Sequence, residues 1–246
     1  MQVTWAINVL KFTQCLLLYW FYTTTCLADI NIISFAIPGL HQSNGQGAYD
    51  KVINQLEYSE EAFQLTMLPP ARAKAQFITC KNCCISPTNM NPDFYGYQTP
   101  MVETLPMNTA KIYAFTARHT QAISGGLDAI KNKRIGVRRG LPYGKRFTEA
   151  GLNLDIADSL KQNFGKLERN RVDVVVAYVP DAYIFFDEID TRSYPHAIDY
   201  PLAIHNDSLV CKRVSNDFIQ AFNYHIKHYQ ASGKLKKILG RAYVPP

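Results

Sequence analysis

The segment Asp173-Val174-Val175-Val176-Ala177-Tyr178-Val179, followed by Pro180 and a helical stretch from Asp181 to Glu188, decides the fold class. A continuous apolar run rich in valine is typical of a parallel strand that is buried on both faces. A second strand, Arg134 to Val137, precedes it, and a predicted helix from Leu160 to Asn170 lies between the two. This order of strand, helix, strand and helix predicts an α/β fold with a parallel sheet.

The same alternation extends toward both ends of the chain. Before it, the pattern predicts strands at Ile30 to Ile37, Phe63 to Leu68, Cys83 to Ser86 and Lys111 to Thr116, and helices at Tyr49 to Glu57 and Ala71 to Phe77. Around it, the pattern predicts helices at Leu127 to Ile130 and Gly144 to Ala150, and an amphipathic tail at Asn216 to Leu239. Two rounds of alternation within 246 residues predict two lobes rather than one sheet.

Composition and motifs exclude several classes of protein. The chain is 47% hydrophobic and 19% charged with a net charge of +6, which excludes intrinsic disorder, collagen-like sequences and coiled coils. The basic runs are short and are typical of solvent-exposed faces of a folded protein, so we expect no nucleic-acid partner. The sequence contains no Gly-x-Ser-x-Gly elbow, phosphate loop or His-Glu-x-x-His motif. We therefore predict neither an enzyme nor a cofactor.

The first 28 residues have the features of an export signal. Lys11 is the only charged residue among them, an apolar stretch from Phe12 to Tyr22 follows it, and Cys26-Leu27-Ala28 offers small residues before a cut. The alternative is a membrane anchor, but the apolar run is shorter than the ~20 residues that a membrane span needs. We predict a signal peptide over 1–28, cleavage after Ala28 and a soluble protein in the periplasm.

Export determines how the cysteines are interpreted. Cys80, Cys83, Cys84 and Cys211 remain after cleavage, and an oxidising compartment favours disulfides over a metal site. A zinc site would need a second ligand pair at similar spacing, so we predict no metal. Four cysteines allow three complete pairings. We expect at least one bridge within Cys80, Cys83 and Cys84, formed by Cys80 with one of the other two; alternatively, Cys84 and Cys211 are buried small hydrophobic residues.

Four segments of the sequence resemble those of a known protein family. They are Ile32 to Pro38, Lys133 to Gly140 with Tyr143 just after, Arg169 to Val176 with Asp181 following, and Gly233 to Ile238 in the terminal helix. In this order, behind a signal peptide, the chain from Asp29 onward resembles the family 3 extracellular solute-binding proteins. These are the amino-acid-binding receptors of ABC transporters.

The resemblance implies a two-lobed, type II periplasmic-binding-protein-like fold. Lobe 1 would comprise residues 29–116 plus 205–246, and lobe 2 residues 117–204. Hinge strands would lie near Tyr113 to Thr116 and Leu202 to Ile204. The implied function is capture of a small polar ligand, an amino acid or related compound, between closing lobes, with an ABC permease as partner and a monomeric state. The other hypotheses are a dehydratase-like enzyme on the same fold and a ligand-sensing module.

Two turns at predicted strand ends are candidate ligand contacts. The stretch from Arg139 through Gly140 to Tyr143 has the glycine and turn residues of an anion site before a helix, and in the resemblance it touches the ligand carboxylate. Asp181 follows the buried strand, where α/β sheets collect ligands, and the family places an acidic residue near this position to bind an amino group. Asp181 also suits a helix N-cap, and the two roles are compatible.

The loop after the third strand departs from the family pattern. Amino-acid binders carry a threonine-rich loop with an arginine there, whereas this chain has Ser86, then Thr88 as a hydroxyl donor, and no arginine up to Asp93. Either Arg72, at the mouth of lobe 1, supplies the positive charge, or the ligand is not a standard α-amino acid. The aromatic residues Tyr49, Phe94, Tyr95 and Tyr97 are candidates to stack on a ligand or to fill the lobe core.

Overall fold

The computed structural model describes residues 30–55, 62–97 and 100–246. The predicted signal peptide and its cleavage site lie outside these residues. The strands are β1 Ile30–Phe35, β2 Phe63–Leu68, β3 Cys83–Thr88, β4 Val102–Glu103, β5 Asn108–Phe115, β6 Arg134–Arg138, β7 Asn153–Ala157, β8 Val174–Val179 and β9 Ala203–Lys212. The α-helices are α1 Ala48–Asn54, α2 Pro70–Thr79, α3 Lys145–Glu149, α4 Leu160–Glu168, α5 Asp181–Glu188, α6 Asn216–Ala231 and α7 Lys234–Leu239.

The strands form one continuous path in the order β2-β1-β3-β9-β5-β8-β6-β7, with β4 paired to β9. The three strands at each end of this path are parallel to one another. In the middle, β9 runs antiparallel to both β3 and β5, and β5 runs antiparallel to β8. The first part of β9 pairs with β5 up to Asp207, and the second part pairs with β3 from Ser208 onward. The strand therefore links the two parallel parts of the sheet at this change of partner.

Separate hydrophobic clusters cover the two parts. One cluster joins β1 and β3 to the helices α1, α2, α6 and α7, with Phe35, Phe77, Phe218 and Phe222 among its buried side chains. The strand β8 contributes alternate residues to two other clusters: Val175 and its i+2 neighbours pack on one face, and Val174 and its i+2 neighbours pack on the other. The prediction of a strand buried on both faces is therefore confirmed.

Local sequence signals explain where several helices begin and end. Ser159 accepts a hydrogen bond from the Gln162 amide at the start of α4, and Ser215 does the same for the Phe218 amide at the start of α6. Gly233 has φ of +71°, a left-handed conformation that ends the predicted tail helix and starts a second one. The tail is thus two helices, α6 and α7, rather than one.

Three sequence-based boundaries differ from the structure. The first predicted strand reaches only Phe35, and the strand β7, Asn153–Ala157, is not among the predicted strands. The largest difference is β9, Ala203–Lys212, where the family resemblance implied only a hinge strand near Leu202 to Ile204. Its side chains alternate less clearly in hydrophobicity because it carries His205 and Asp207 toward the interior.

The cysteines form two disulfides, Cys80–Cys83 and Cys84–Cys211. The expected bridge within the first three cysteines is confirmed. The alternative of unpaired Cys84 and Cys211 is wrong, because these two residues are directly opposite each other in the antiparallel pair of β3 and β9. Their pairing joins positions 127 residues apart in the chain.

Within residues 30–55, 62–97 and 100–246, no helix is long and apolar enough to cross a membrane. In the same residues, no group of three or more His, Cys, Asp or Glu side chains is arranged to hold a metal ion.

Candidate functional site

A narrow cavity of about 20 Å³ lies where the carboxyl ends of the parallel strands from the two parts of the sheet face each other. Its lining comprises Phe35, Ile37, Leu40, Pro87 and Tyr95 from one part, Leu141, Pro142, Tyr178, Pro180 and Asp181 from the other, and Ala110, His205 and Asp207 from the linking strands β5 and β9. The carboxyl ends of parallel strands are where α/β sheets bind ligands. This cavity is therefore the candidate binding site.

Asp181 is the first residue of α5 and lies at the end of the buried strand β8. Its side chain is 3% exposed, and its Oδ1 atom has no hydrogen-bond partner within the described part of the chain. Burial raises the pKa of Asp181 to about 7, an effect that the nearby charge of Arg138 opposes. A buried, unsatisfied carboxylate oxygen at a cavity is costly unless a donor from outside the chain pairs with it.

Asp207 provides a second buried carboxylate in the same cavity. It is 3% exposed, and its Oδ2 accepts a hydrogen bond of 2.5 Å from the Tyr49 hydroxyl. Burial raises the pKa of Asp207 to about 7, although the Tyr49 hydrogen bond acts in the opposite direction. Tyr49 is itself held by the Asn108 side-chain amide at 3.2 Å, which fixes this carboxylate against α1.

His205 lies two residues before Asp207 and on the same face of β9. Its Nδ1 is 3.0 Å from the Asn89 side-chain nitrogen, whereas its Nε2 is buried and lacks a partner among the described residues. Burial lowers the pKa of His205 to about 4, so the imidazole is neutral at pH 7. The rings of Phe94 and Tyr178 pack against it at 4.6 and 5.4 Å between centroids.

Of the two neighbouring arginines, the structure brings Arg138 inward and leaves the predicted Arg139 outside. Arg139 is 62% exposed and pairs with the Asp158 carboxylate at 2.8 Å, away from the cavity. Arg138 is 9% exposed and donates from Nη2 to the Ala36 carbonyl at 2.7 Å, while its Nη1 is buried without a partner in the described structure. Side chains alternate at a strand end, so adjacent residues face opposite ways.

Tyr143 supports Arg138 rather than lining the cavity. The Tyr143 hydroxyl accepts a hydrogen bond of 2.8 Å from the Arg138 backbone amide, and the ring is buried against Phe147 and Tyr178. Burial raises the pKa of Tyr143, so its hydroxyl stays protonated at neutral pH. The predicted ligand contact is thus placed where it orients the neighbouring arginine.

The turn at Gly140 and the helix α2 meet, but Arg72 takes no part in this contact. Arg72 is exposed on α2 and is not among the residues that line the cavity. Instead, Lys74 Nζ donates to the Gly140 carbonyl at 2.9 Å. Gly140 has φ of +79°, and a Cβ atom there would lie 3.1 Å from the Ala71 amide nitrogen. A glycine therefore permits this close approach.

Ser86 and Thr88 are both fully buried on β3 and use their hydroxyls within the protein. Thr88 Oγ1 lies 2.8 Å from the Tyr97 hydroxyl. Ser86 Oγ lies 2.9 Å from His41 Nε2, and His41 Nδ1 lies 2.6 Å from the Asp50 carboxylate. This serine, histidine and aspartate are at most 1% exposed and are not among the residues that line the cavity.

Several residues that line the cavity are not among the site residues predicted from the sequence. His205 and Asp207 lie in a segment where a strand was indicated only at its start, and Tyr178 was read simply as part of an apolar run. The available signal was the pair of polar residues two apart within Ala203–Lys212, which places both on one face of a strand. The sequence pattern predicts Arg139 rather than Arg138 as a ligand contact, because it does not define the last residue of the strand.

Comparisons with known proteins identify the fold. No protein-family model matches the chain, and no curated protein matches it in sequence. The GluR0 ligand-binding core in complex with L-glutamate is similar in structure, with a TM-score of 0.70 and 10% identity over 88% of this chain and 98% of that chain. A mutant of ArgBP from T. maritima is also similar, with a TM-score of 0.65 and 14% identity over 85% of this chain and 93% of that chain.

A third similar structure is the amino acid ABC transporter substrate-binding protein AbpA from Streptococcus pneumoniae, bound to L-arginine. Its TM-score is 0.63 at 15% identity, over 87% of this chain and 94% of that chain. These similar structures are binding proteins rather than enzymes by their descriptions. The chain has the two-lobed α/β fold of type II periplasmic binding proteins, as expected from the sequence.

Proposed function

We propose that this protein is a solute-binding protein that captures a small polar ligand bearing an amino group, an amino acid or related compound, between two closing lobes. The observation that carries the proposal is the buried Asp181 carboxylate, whose Oδ1 atom has no partner among the described residues and lines a cavity between the two parts of the sheet. An ammonium group would satisfy this oxygen and compensate its charge.

The proposed capture of a ligand requires two lobes that move relative to each other. Lobe 1 comprises residues 29–116 plus 205–246 and lobe 2 residues 117–204, with β5 and β9 as the connections about which the lobes move. The cluster on β1 and β3 is separate from the two clusters on β8, which supports two lobes; the side chains of β5 pack with the β8 clusters. A ligand that touches both lobes only when they are closed shifts the equilibrium toward the closed form.

The site residues proposed from the sequence divide into three groups. Asp181 binds the ligand amino group, and the Gly140 turn forms part of the closing surface of lobe 2. Ser86, Thr88 and Tyr143 shape the surroundings through their buried hydrogen bonds. Arg72 and Arg139 are exposed, and their proposed role is limited to the approach of a ligand to the cleft.

The cellular role that we propose is delivery of the ligand to an ABC-type importer by a monomeric periplasmic protein. The descriptions of similar structures as amino acid ABC transporter components support this role. N-terminal sequencing of the exported form is expected to begin at Asp29. An intact Met1 in a membrane fraction would contradict the proposed export.

A ligand screen tests the function. Thermal unfolding is followed with amino acids, amines, small peptides, polyamines and dicarboxylates, since a ligand at ~100 times its dissociation constant adds about 2.7 kcal/mol of stability. Small-angle scattering with the stabilising compound is expected to show compaction. Mass spectrometry of the recovered compound is expected to show it unchanged, as a binding protein requires. Absence of any stabilising compound in these classes would overturn the proposed function.

A further inference from the structure

We propose that the ligand is a small primary alkylammonium ion without a carboxylate, held between Asp181 and Asp207 against the aromatic faces of Phe35, Tyr95 and Tyr178. The inference rests on the proposed function and specifies its ligand. The loop after β3 lacks the arginine of amino-acid binders, which left two hypotheses: Arg72 replaces that arginine, or the ligand is not a standard α-amino acid. The inference favours the second hypothesis.

The charges around the cavity favour a cation. Within the described part of the chain, the charged side chains that line it are the carboxylates of Asp181 and Asp207, and neither lysine nor arginine is among the lining residues. The nearby Arg138 guanidinium offsets one of the two negative charges but is not itself a lining residue. At pH 8, above the pKa of about 7 of each carboxylate, one negative charge therefore remains, and a monovalent cation neutralises it.

A carboxylate on the ligand finds no charged partner among the lining residues. Arg138 donates from Nη2 to the Ala36 carbonyl and keeps Nη1 without a partner in the described structure, but it is not a lining residue. His205, whose Nε2 also lacks a described partner, does line the cavity, but its imidazole is neutral at pH 7 and brings no positive charge. The other predicted cations, Arg72 and Arg139, lie on the surface. A ligand carboxylate in the cavity would instead face Asp181 and Asp207, and like charges in a dry site repel strongly.

The unsatisfied Asp181 oxygen favours a primary ammonium over a quaternary one. Asp181 Oδ1 requires a hydrogen-bond donor, and it is buried within a lining that is otherwise largely apolar. A primary ammonium carries three N–H donors, whereas a quaternary ammonium carries none. Only the former satisfies the oxygen as well as compensating its charge.

Aromatic and aliphatic surfaces complete the site. Phe35, Tyr95 and Tyr178 line the cavity with Ile37 and Leu40, and aromatic faces attract cations that have lost their water. The Tyr178 hydroxyl donates to the Pro142 carbonyl, which holds its ring at the cavity wall. The alkyl part of the ligand contacts this apolar lining, and the direct contacts between the lobes limit its length.

Matched pairs of compounds test the inference. Ethylamine and alanine, isobutylamine and valine, and isopentylamine and leucine each differ only by the carboxylate. By isothermal titration calorimetry at pH 8, we expect each amine to bind at least tenfold more tightly than its amino acid, and tetramethylammonium to bind more weakly than ethylamine. Equal or tighter binding of the amino acids would overturn the inference and leave the proposed function standing. Binding of neither member, with dicarboxylates or peptides binding instead, would also overturn it.

Variants connect the binding to the two carboxylates. Asp181→Asn and Asp207→Asn are each expected to weaken ethylamine binding at least tenfold, while Asp128→Asn, at an exposed position, leaves it unchanged. Circular dichroism and the unfolding midpoint establish that each variant is folded. If a variant does not fold, the compound pairs on the unmodified protein decide the question alone. Undiminished binding in both folded variants would overturn the inference.

Discussion

Arg138 donates a hydrogen bond from Nη2 to the carbonyl oxygen of Ala36 at 2.7 Å, and the two residues belong to strand ends on opposite sides of the cavity. Lys74 makes a similar connection to the Gly140 carbonyl at 2.9 Å. Both bonds join a positively charged side chain to a backbone carbonyl, so they do not depend on a second charged side chain. They hold the cavity in the narrow form described above.

Replacing Arg138 is expected to open the cleft. Arg138→Met removes a hydrogen bond from a charged donor, which is worth about 1.5–3 kcal/mol to the closed arrangement. The adjacent exposed residue provides the control Arg139→Met, which keeps the closed form. Small-angle scattering of the ligand-free proteins measures the difference, with a larger radius of gyration expected for Arg138→Met alone. The same radius for both variants would show that this bond does not hold the lobes together.

A methyl group at Gly39 is expected to block closure. Gly39 has φ of +74°, and a Cβ atom there would lie 2.1 Å from Ile184 Cγ2, on the helix α5. Gly45 lies in the same loop with φ of +69°, but its Cβ would meet only Asn54 Nδ2 at 4.0 Å. Gly39→Ala and Gly45→Ala therefore share the conformational strain and differ in the clash.

The two alanine variants separate strain from closure. Both are expected to lose about 1–2 kcal/mol of folding stability, the usual cost of a side chain in the left-handed region. Only Gly39→Ala is expected to lose the compaction that a ligand induces and to bind the ligand at least tenfold more weakly. Urea unfolding and scattering with ligand measure these effects. Normal compaction of Gly39→Ala would show that Ile184 moves aside.

The disulfides are expected to contribute unequally to stability. Cys84–Cys211 closes a loop of 127 residues, and Cys80–Cys83 closes a loop of 3. By loop-closure entropy, the double replacement of Cys84 and Cys211 by Ala costs about 5 kcal/mol and that of Cys80 and Cys83 about 2 kcal/mol. Urea denaturation of the two variants gives the comparison. A larger loss from the short-loop variant would contradict the entropic account.

The buried carboxylate of Asp181 is expected to make stability fall as pH rises. Its pKa is raised from 3.8 to about 7, so between these values the folded protein retains a proton that the unfolded chain has lost. The unfolding free energy then decreases with pH in that window. Relative to the wild type, Asp181→Asn gains stability between pH 5 and pH 8, on the order of 1–3 kcal/mol.

The lowered pKa of His205 acts in the opposite direction, because its stability contribution is lost as pH falls from 6.5 toward 4. His205 is present in both proteins and cancels in the difference between them. Asp207 also has a pKa raised to about 7 and interacts with Asp181 through its charge, so the difference reports Asp181 together with this interaction. Urea unfolding at four pH values between 5 and 8 provides the measurement, with Asp128→Asn as the control. A difference that is independent of pH, or that shrinks as pH rises, would refute the assignment.

The hydrophobic pattern was sufficient to predict the elements whose burial follows a simple period. The valine run of β8 is apolar at every position because both faces are covered, and the buried positions of α6, Phe218, Phe222 and Ile226, recur at helical spacing. The helix start at Asp181 also followed from the sequence. The pattern was weaker for β9, because the inward positions of that strand hold polar groups at the cavity.

The sequence by itself determined the α/β class, the elements that build each part of the sheet, and the place of Asp181 at the end of a buried strand. Tertiary structure alone decided that Arg138 rather than Arg139 turns inward, since one residue of strand register reverses the facing of a side chain. It also decided the Cys84–Cys211 pairing and the meeting of Asp207 with Asp181. These relationships join residues far apart in the chain, and their distances depend on how the strands pair rather than on any local pattern.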